Sequence, residues 1–209
     1  MSTHIHPTGD HLFFTSDTHF GHQNILQYSQ RPFKDTNEMD DTIIDNWNRV
    51  VGPDDTVYHL GDFAFGDISS IKKLVARLNG RIILIKGNHD RQPEKLQLVF
   101  HELYDQLTLV VAGQRVLLNH FPFLCYAGTY SGCRPTWQLF GHLHLKPHGT
   151  GADFERVAHC FPFQYDVGVD LNNYSPISWT TVRERILMQI KLNTNVSYWL
   201  NPEESLNTP

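Results

Sequence analysis

Five short apolar runs in this chain each stop at a cluster of aspartate, asparagine or histidine. Run 11–16 (HLFFTS) leads into Asp17-Thr18-His19, run 56–60 (TVYHL) into Gly61-Asp62, and run 81–86 (RIILIK) into Gly87-Asn88-His89-Asp90. Run 114–118 (QRVLL) leads into Asn119-His120, and run 138–140 (QLF) into Gly141-His142-Leu143-His144. Apolar runs of this length bounded by turn residues are strand signals. In α/β sheets, ligands bind beyond the carboxyl ends of the strands. Taken singly, each cluster is also an ordinary turn, since Gly, Asn and Asp favour turns for local reasons. Repeated at five strand ends, the pattern predicts that Asp, Asn and His side chains from distant segments converge on one rim.

The segments between these runs carry helical periodicity. Met39, Ile43, Ile44, Trp47, Val50 and Val51 recur at helical spacing over residues 37–51, and Asp35 with Glu38 supplies an N-terminal cap. A second helix is expected over residues 69–79, with Ile71, Leu74, Val75 and Leu78 on one face and Gly80 as its stop. The order β-α-β-α-β makes the first half α/β. In the second half, LTLVVAG and QRVLLNHF read as a hairpin split at Gly113-Gln114, and QLFGHLH and YDVGVD as further strands. A final helix opens at Pro176-Ile177-Ser178, with Val182, Ile186 and Ile190 on one face. Residues 126–136 and 147–153 read as surface loops. The expected organisation is an N-terminal extension (1–10), one catalytic-type domain (11–192) and a weakly patterned tail (193–209).

Composition narrows the function classes. At 209 residues the chain is long enough for a substantial core without a structural metal or disulfide. No apolar run approaches a membrane span, and residues 1–11 lack the basic and apolar regions of a secretory signal. Cys125, Cys133 and Cys160 form no CxxC pair and are expected as reduced thiols, which places the chain in the cytoplasm. With 17 basic against 22 acidic residues and a net charge of −5, no basic stripe is available for a long nucleic acid. A phosphate-bearing substrate would need a local positive field.

Read together, Asp-x-His, Gly-Asp, Gly-Asn-His-Asp, Asn-His and Gly-His-x-His resemble the five motifs of the calcineurin-like metallophosphoesterases. Residues 15–22 (TSDTHFGH), 31–33 (RPF), 60–64 (LGDFA) and 167–170 (VGVD) resemble the small bacterial and phage-type members. The likeness covers about residues 11–190. It implies a four-layer αββα sandwich: two mixed β-sheets flanked by helices, with a metal site at the strand C-termini. It also implies two metal ions. One would be held by Asp17, His19, Asp62 and His144, the other by Asp62, Asn88, His120 and His142, with Asp62 bridging. Carboxylate, imidazole and amide ligands without thiolate suit Mn, Fe, Zn, Co or Ni, with Mn preferred. Two such ions outweigh the charge of their carboxylates and a bridging hydroxide, which would be the attacking group.

In the same family pattern His89 is not a ligand but the residue that protonates the leaving oxygen or stabilises the transition state. The protein phosphatases of the superfamily orient that histidine with an Asp, followed by an Arg, just after the second motif. Phe65 and Gly66 stand there in this chain, which argues against a protein-phosphatase role. His22 either contacts substrate phosphate or caps the helix that begins near Asn24. Arg31, Arg91 and Arg134 are candidate phosphate clamps, with solvent-exposed arginine as the plain alternative. Asp90 reads as a turn or supporting residue, and His59 as a core histidine. The expected substrate is a small soluble phosphate ester, foremost a phosphodiester of nucleotide type. Phosphomonoester or pyrophosphate hydrolysis is the alternative; a nuclease or a non-enzymatic scaffold ranks below both. A homodimer is compatible with all of these.

Overall fold

The first long helix begins where its cap predicts. The Asp35 side chain accepts from the Glu38 amide, and Glu38 reaches back to the Lys34 amide. This is a capping arrangement that satisfies amides otherwise left unpaired at a helix start. The computed structural model describes residues 3–6, 8–130, 132 and 134–200. Its strands are β1 (Thr3–His6), β2 (Leu12–Thr15), β3 (Thr56–His59), β4 (Arg81–Ile85), β5 (Glu102–Tyr104), β6 (Leu107–Val111), β7 (Gln114–Leu118), β8 (Trp137–Phe140), β9 (Gln164–Asp166) and β10 (Ile177–Ser178). Its helices are α1 (Ile25–Tyr28), α2 (Thr36–Val50), α3 (Ile68–Val75), α4 (Pro93–Leu96), α5 (Gly151–Val157) and α6 (Trp179–Leu192), followed by a 3-10 turn at Val196–Trp199.

Two mixed five-stranded sheets result, ordered β10-β2-β3-β4-β5 and β1-β6-β7-β8-β9. In the first, β2 to β5 are parallel and β10 runs antiparallel to β2. In the second, only the β6–β7 hairpin is antiparallel. One core fills the space between the sheets, with Phe14, Tyr58, Ile83 and Ile85 meeting Leu109, Val116, Leu139 and Tyr165. A second core lies on the other face of the first sheet, where Met39, Ile43 and Trp47 of α2 cover Val57, Ile82 and Leu84. Each such buried side chain contributes about 1.5–3 kcal/mol relative to exposure. Fold class and layering thus match the α/β sandwich expected from the motifs.

Parallel register builds the rim. Thr15 pairs with His59 and His59 with Leu84, so the residues after β2, β3 and β4 leave the first sheet side by side. Leu118 pairs with Leu139 and Phe140 with Asp166, which does the same for the second sheet. An isolated parallel bridge from Ser16 to Gly168 then joins the two rims.

Several local expectations change. Residues ahead of position 11 are not a separate extension: β1 adds an edge strand alongside β6. Residues 147–153 are not wholly loop, because Thr150 and Asp153 form a reciprocal capping box that starts α5. Within the expected tail, Val196 and Leu200 are buried in the inter-sheet core; residues 201–209 lie outside the described residues. Cys125 and Cys160 are free thiols, and Cys133 lies outside the described residues. No helix is long and apolar enough to cross a membrane.

Candidate metal centre

Two groups of side chains meet on this rim with geometry suited to a metal ion: Asp17, His19 and His144, and Asp62, His120 and His142. Their backbones are unusual. Asp17, His19, Asp62, His142 and His144 all have φ between 50° and 72°. Non-glycine residues in this left-handed region cost on the order of 1–3 kcal/mol each and persist where surrounding structure forces them, often at ligand-holding sites. The glycines beside them have a matching cause. A Cβ on Gly141 would run into the Asp17 carboxylate and Ser16 Oγ, and one on Gly87 into the Asp62 carboxylate. Gly-His and Gly-Asn at these strand ends therefore let backbone approach a carboxylate that any side chain would displace.

Several of these side chains are anchored on the side away from the centre, which leaves another atom free to face it. Asp17 Oδ2 accepts from Ser16 Oγ at 2.6 Å and from the His142 amide at 2.9 Å, while Oδ1 has no partner. His19 Nε2 is likewise buried and unpartnered, 4.0 Å from Asp17 Oδ1 and 3.5 Å from Asp62 Oδ2. His120 Nδ1 donates to the Leu60 carbonyl at 2.7 Å, which leaves Nε2 as the lone-pair nitrogen, 3.6 Å from Asp62 Oδ2 and 3.0 Å from Asn88 Oδ1. His144 Nδ1 is held by Asp170 Oδ2 at 2.9 Å, and its Nε2 lies 3.7 Å from Asp17 Oδ1. Asp62 Oδ2 thus sits between the two groups, within 3.6 Å of an imidazole nitrogen from each. Asp62 Oδ1 accepts from the His89 amide at 2.8 Å.

The charges support the same reading. Burial, reinforced by the His144 and Arg31 charges, pushes His19 far below the usual histidine range, so its ring is neutral with a lone pair to offer. Burial and then the neighbouring His120 charge lower His142 as well. For His144 burial pulls downward, but Asp17 and Asp170 outweigh it and raise the value. Burial lifts the Asp62 carboxyl despite the pull of His120 and the His89 amide. Burial, then repulsion from Asp17, also holds Asp166 well above the carboxylate range. Crowded carboxyls, the neutral His19 ring and two orphaned polar atoms near one another fit a cation, because unpaired buried polar atoms are costly without one. The donor set holds oxygen and nitrogen and no sulfur, as expected for a divalent ion outside thiolate zinc sites.

His89 faces this centre, with Nε2 3.9 Å from Asp62 Oδ2. Among the described residues, no carboxylate is hydrogen-bonded to its ring. Phe65 lies against it at a centroid distance of 5.2 Å and against His22 at 3.8 Å in a stacked arrangement. His22 does not cap α1 with its side chain; its ring lines the cleft, Nδ1 3.2 Å from His19 Nδ1. Asp90 is a supporting residue, accepting from the amides of Asp62, Phe63 and Gly87. His59 is fully buried, in contact with Thr18 Oγ1, and burial pushes it down to about 3.

The three arginines part company. Arg31 is no exposed clamp. It is buried, paired through two nitrogens with Asp170, and donates to the carbonyls of Asp17 and Thr18. Arg91 is exposed and lines a cavity beside His89, whereas Arg134, also exposed, lines neither that cavity nor the metal cleft. The cleft, about 540 Å³, instead brings in Tyr28, Ser29 and Arg156 with His19, His22 and His144. Arg156 lies on α5, in a stretch whose glycines and proline masked the helix, and nothing in its spacing marks it.

A family description of calcineurin-like phosphoesterases matches residues 11–171. An uncharacterized protein of Methanocaldococcus jannaschii is 33% identical over 175 residues, covering 80% of this chain and 86% of that protein. The gene 66 protein of Mycobacterium phage L5 is 32% identical over 181 residues, covering 76% of this chain and 86% of its own length. A crystal structure of a protein of unknown function from Aquifex aeolicus superposes with a TM-score of 0.65 at 31% identity, covering 83% of this chain and 97% of that one. With the motifs brought together on one rim and a family match over most of its length, the chain belongs to the calcineurin-like phosphoesterases.

Proposed function

We propose that this chain is a two-metal phosphoesterase that hydrolyses a small soluble phosphodiester of nucleotide type. The observation that carries the proposal is the position of Asp62 Oδ2, shared between His19 and His120, each belonging to a separate ligand group. Asp17, His19 and His144 would hold one ion and Asn88, His120 and His142 the other, with Asp62 common to both. Bound metal would supply positive charge for the phosphoryl oxygens and acidify water; Mn is the first choice, with Fe, Zn, Co and Ni acceptable to the same donors.

The chain's own groups do the rest. Asp170, Leu60 and Ser16 fix the ligands before substrate arrives, so little reorganisation is left for the reaction. His89 Nε2 is directed at the centre, where it can give a proton to the leaving oxygen as the P–O bond to the leaving arm breaks and water oxygen takes its place on phosphorus. Arg156 and His22 line the cleft and would position the phosphoryl group and the arm that stays attached to it.

The test is hydrolysis of bis(p-nitrophenyl) phosphate by Mn-loaded protein, against the monoester and a pyrophosphate-linked dinucleotide. Expected are a Mn-dependent rate highest on the diester and its loss in Asp62→Asn. A metal-loaded protein that cleaves none of the three sinks the enzyme reading; a higher rate on monoester or pyrophosphate reassigns the substrate.

A further inference from the structure

Beside the metal cleft lies a second cavity of about 310 Å³, lined by Phe63, Phe65, Ile71, His89, Arg91 and Leu96 among others. The two cavities share two side chains, Phe65 and His89. We infer that this second cavity is the subsite for the leaving arm of the substrate, and that it takes a nucleoside whose base lies on Phe65. The inference rests on the hydrolase reading above.

Three features of the cavity argue for it. First, the acid that protonates a leaving oxygen must touch that oxygen, so the leaving arm extends from His89, and this cavity opens at His89. The arm that stays on phosphorus then has the Tyr28 and Arg156 side of the cleft. Second, the floor is apolar and preformed: Phe63, Ile71 and Leu96 are all buried in the α2–α3 core. The Phe65 ring is stacked on His22 at 3.8 Å and 16° and also lines this cavity, where His22 is not a lining residue. An aromatic ring beside apolar walls suits a flat ring, because every base has a π-face that can stack on it. The volume falls at the low end of small-molecule sites, about 300–1,000 Å³, enough for one nucleoside and not two.

Third, the rim carries a free cation. Arg91 is exposed, and its guanidinium has no hydrogen-bond or ion-pair partner among the described residues. The backbone holds it there: the Arg91 amide donates to the His89 carbonyl at 2.9 Å, and Gln92 turns through a left-handed φ of 64° before α4 begins at Pro93. An arginine fixed next to the acid, above an apolar slot, can donate to the sugar or base of the arm that departs.

Adenosine is the probe. Titrated into isotope-labelled, metal-free protein, it is expected to shift the amides of Ala64, Phe65, Gly66 and Arg91 in a saturable way. Ala64→Leu, which fills the slot from a partly exposed position, and Arg91→Ala should each weaken that binding at least threefold. In Mn-loaded protein adenosine should compete with bis(p-nitrophenyl) phosphate, and Ala64→Leu should raise KM several-fold. Shifts confined to Tyr28 and Arg156, no saturable shift at all, or binding unchanged in both variants overturns the inference. If adenosine maps to the slot but loaded protein hydrolyses no ester, the hydrolase reading fails and the nucleoside site stands.

Discussion

Asp170 Oδ2 holds Nδ1 of His144 at 2.9 Å and is itself held by Arg31 NH2 at 2.8 Å. The Asp170 carboxylate therefore fixes which nitrogen of His144 faces Asp17. Burial would lift this carboxyl, but Arg31 and then His144 outweigh burial and keep it ionised, below the usual range. Partners of this kind raise the basicity of a ligating imidazole, and their loss typically lowers metal affinity about 10–100-fold. Asp170→Asn is expected to weaken Mn binding by that order, read by calorimetric titration of the apo protein. An unchanged binding isotherm would remove Asp170 from the metal centre.

Arg31 makes a different prediction. Both members of the Arg31–Asp170 pair are almost fully buried. Removing one side of such a pair strands the other charge and typically costs about 3–5 kcal/mol. Arg31→Met should lower unfolding free energy by that order in urea titrations while KM of the surviving fraction changes little. A large KM effect with intact stability would instead return Arg31 to the substrate clamps.

The Phe65 ring packs beside His89 at a centroid distance of 5.2 Å. It contacts His19, His22 and His89 together. Aromatic pairs of this kind contribute about 0.5–1.5 kcal/mol beyond burial. Phe65→Ala should lower kcat about tenfold on bis(p-nitrophenyl) phosphate, and Phe65→Tyr should restore most of it. Because the same ring forms the floor of the leaving-arm slot, KM for the alanine variant should rise as well, and adenosine affinity should fall in parallel.

Asp40 links stability to pH. Both its oxygens accept from the Gly21 amide, and burial, partly offset by that hydrogen bond, raises its carboxyl from 3.8 to about 6. A folded-state value above the unfolded one means that the folded protein holds the proton more tightly. Asp40 thus costs nothing below about pH 4 and destabilises progressively between pH 4 and 6, with the full penalty above that window. Asp40→Asn should match the parent protein at pH 4 and melt a few degrees higher at pH 8, since each kcal/mol moves Tm by about 2–4 °C at this size. Melting curves that run parallel at every pH would show that Asp40 titrates as it does in the unfolded chain.

The rim was legible in the sequence because it is local: each strand ends at its own candidate ligand, and parallel register brings these side chains together without long-range information. Asp17, His19, Asp62, His120, His142 and His144 are all readable on that basis, and α2 is readable from its cap and its stripe. What long-range packing decides was not. Arg31 is charged and follows a turn, so sequence favours solvent, yet Asp170, 139 residues away, draws it inside. β1 is four residues of alternating polarity, paired through an edge that only the β6–β7 hairpin creates. α5 hides behind glycines, and its start depends on a reciprocal cap between Thr150 and Asp153 rather than on an apolar stripe.

Arg156 follows from that hidden helix. Its NH1 is held by Asp153 Oδ1 at 3.2 Å, and Asp153 is fixed by the cap it makes with the Thr150 amide. The other guanidinium donors have no partner among the described residues, and the side chain is about half exposed within the cleft. A tethered arginine of this kind can meet phosphate oxygens through two donors in a fixed plane, which lysine cannot reproduce. Arg156→Ala should therefore raise KM for a diester about tenfold with little change in kcat, as expected for a contact made equally in ground and transition states. Arg156→Lys should recover only part of the loss. Solvent weakens a half-exposed contact, so the effect should shrink further at high salt. A change in kcat alone would place Arg156 in the chemical step, and no change in either constant would leave α5 as scaffold.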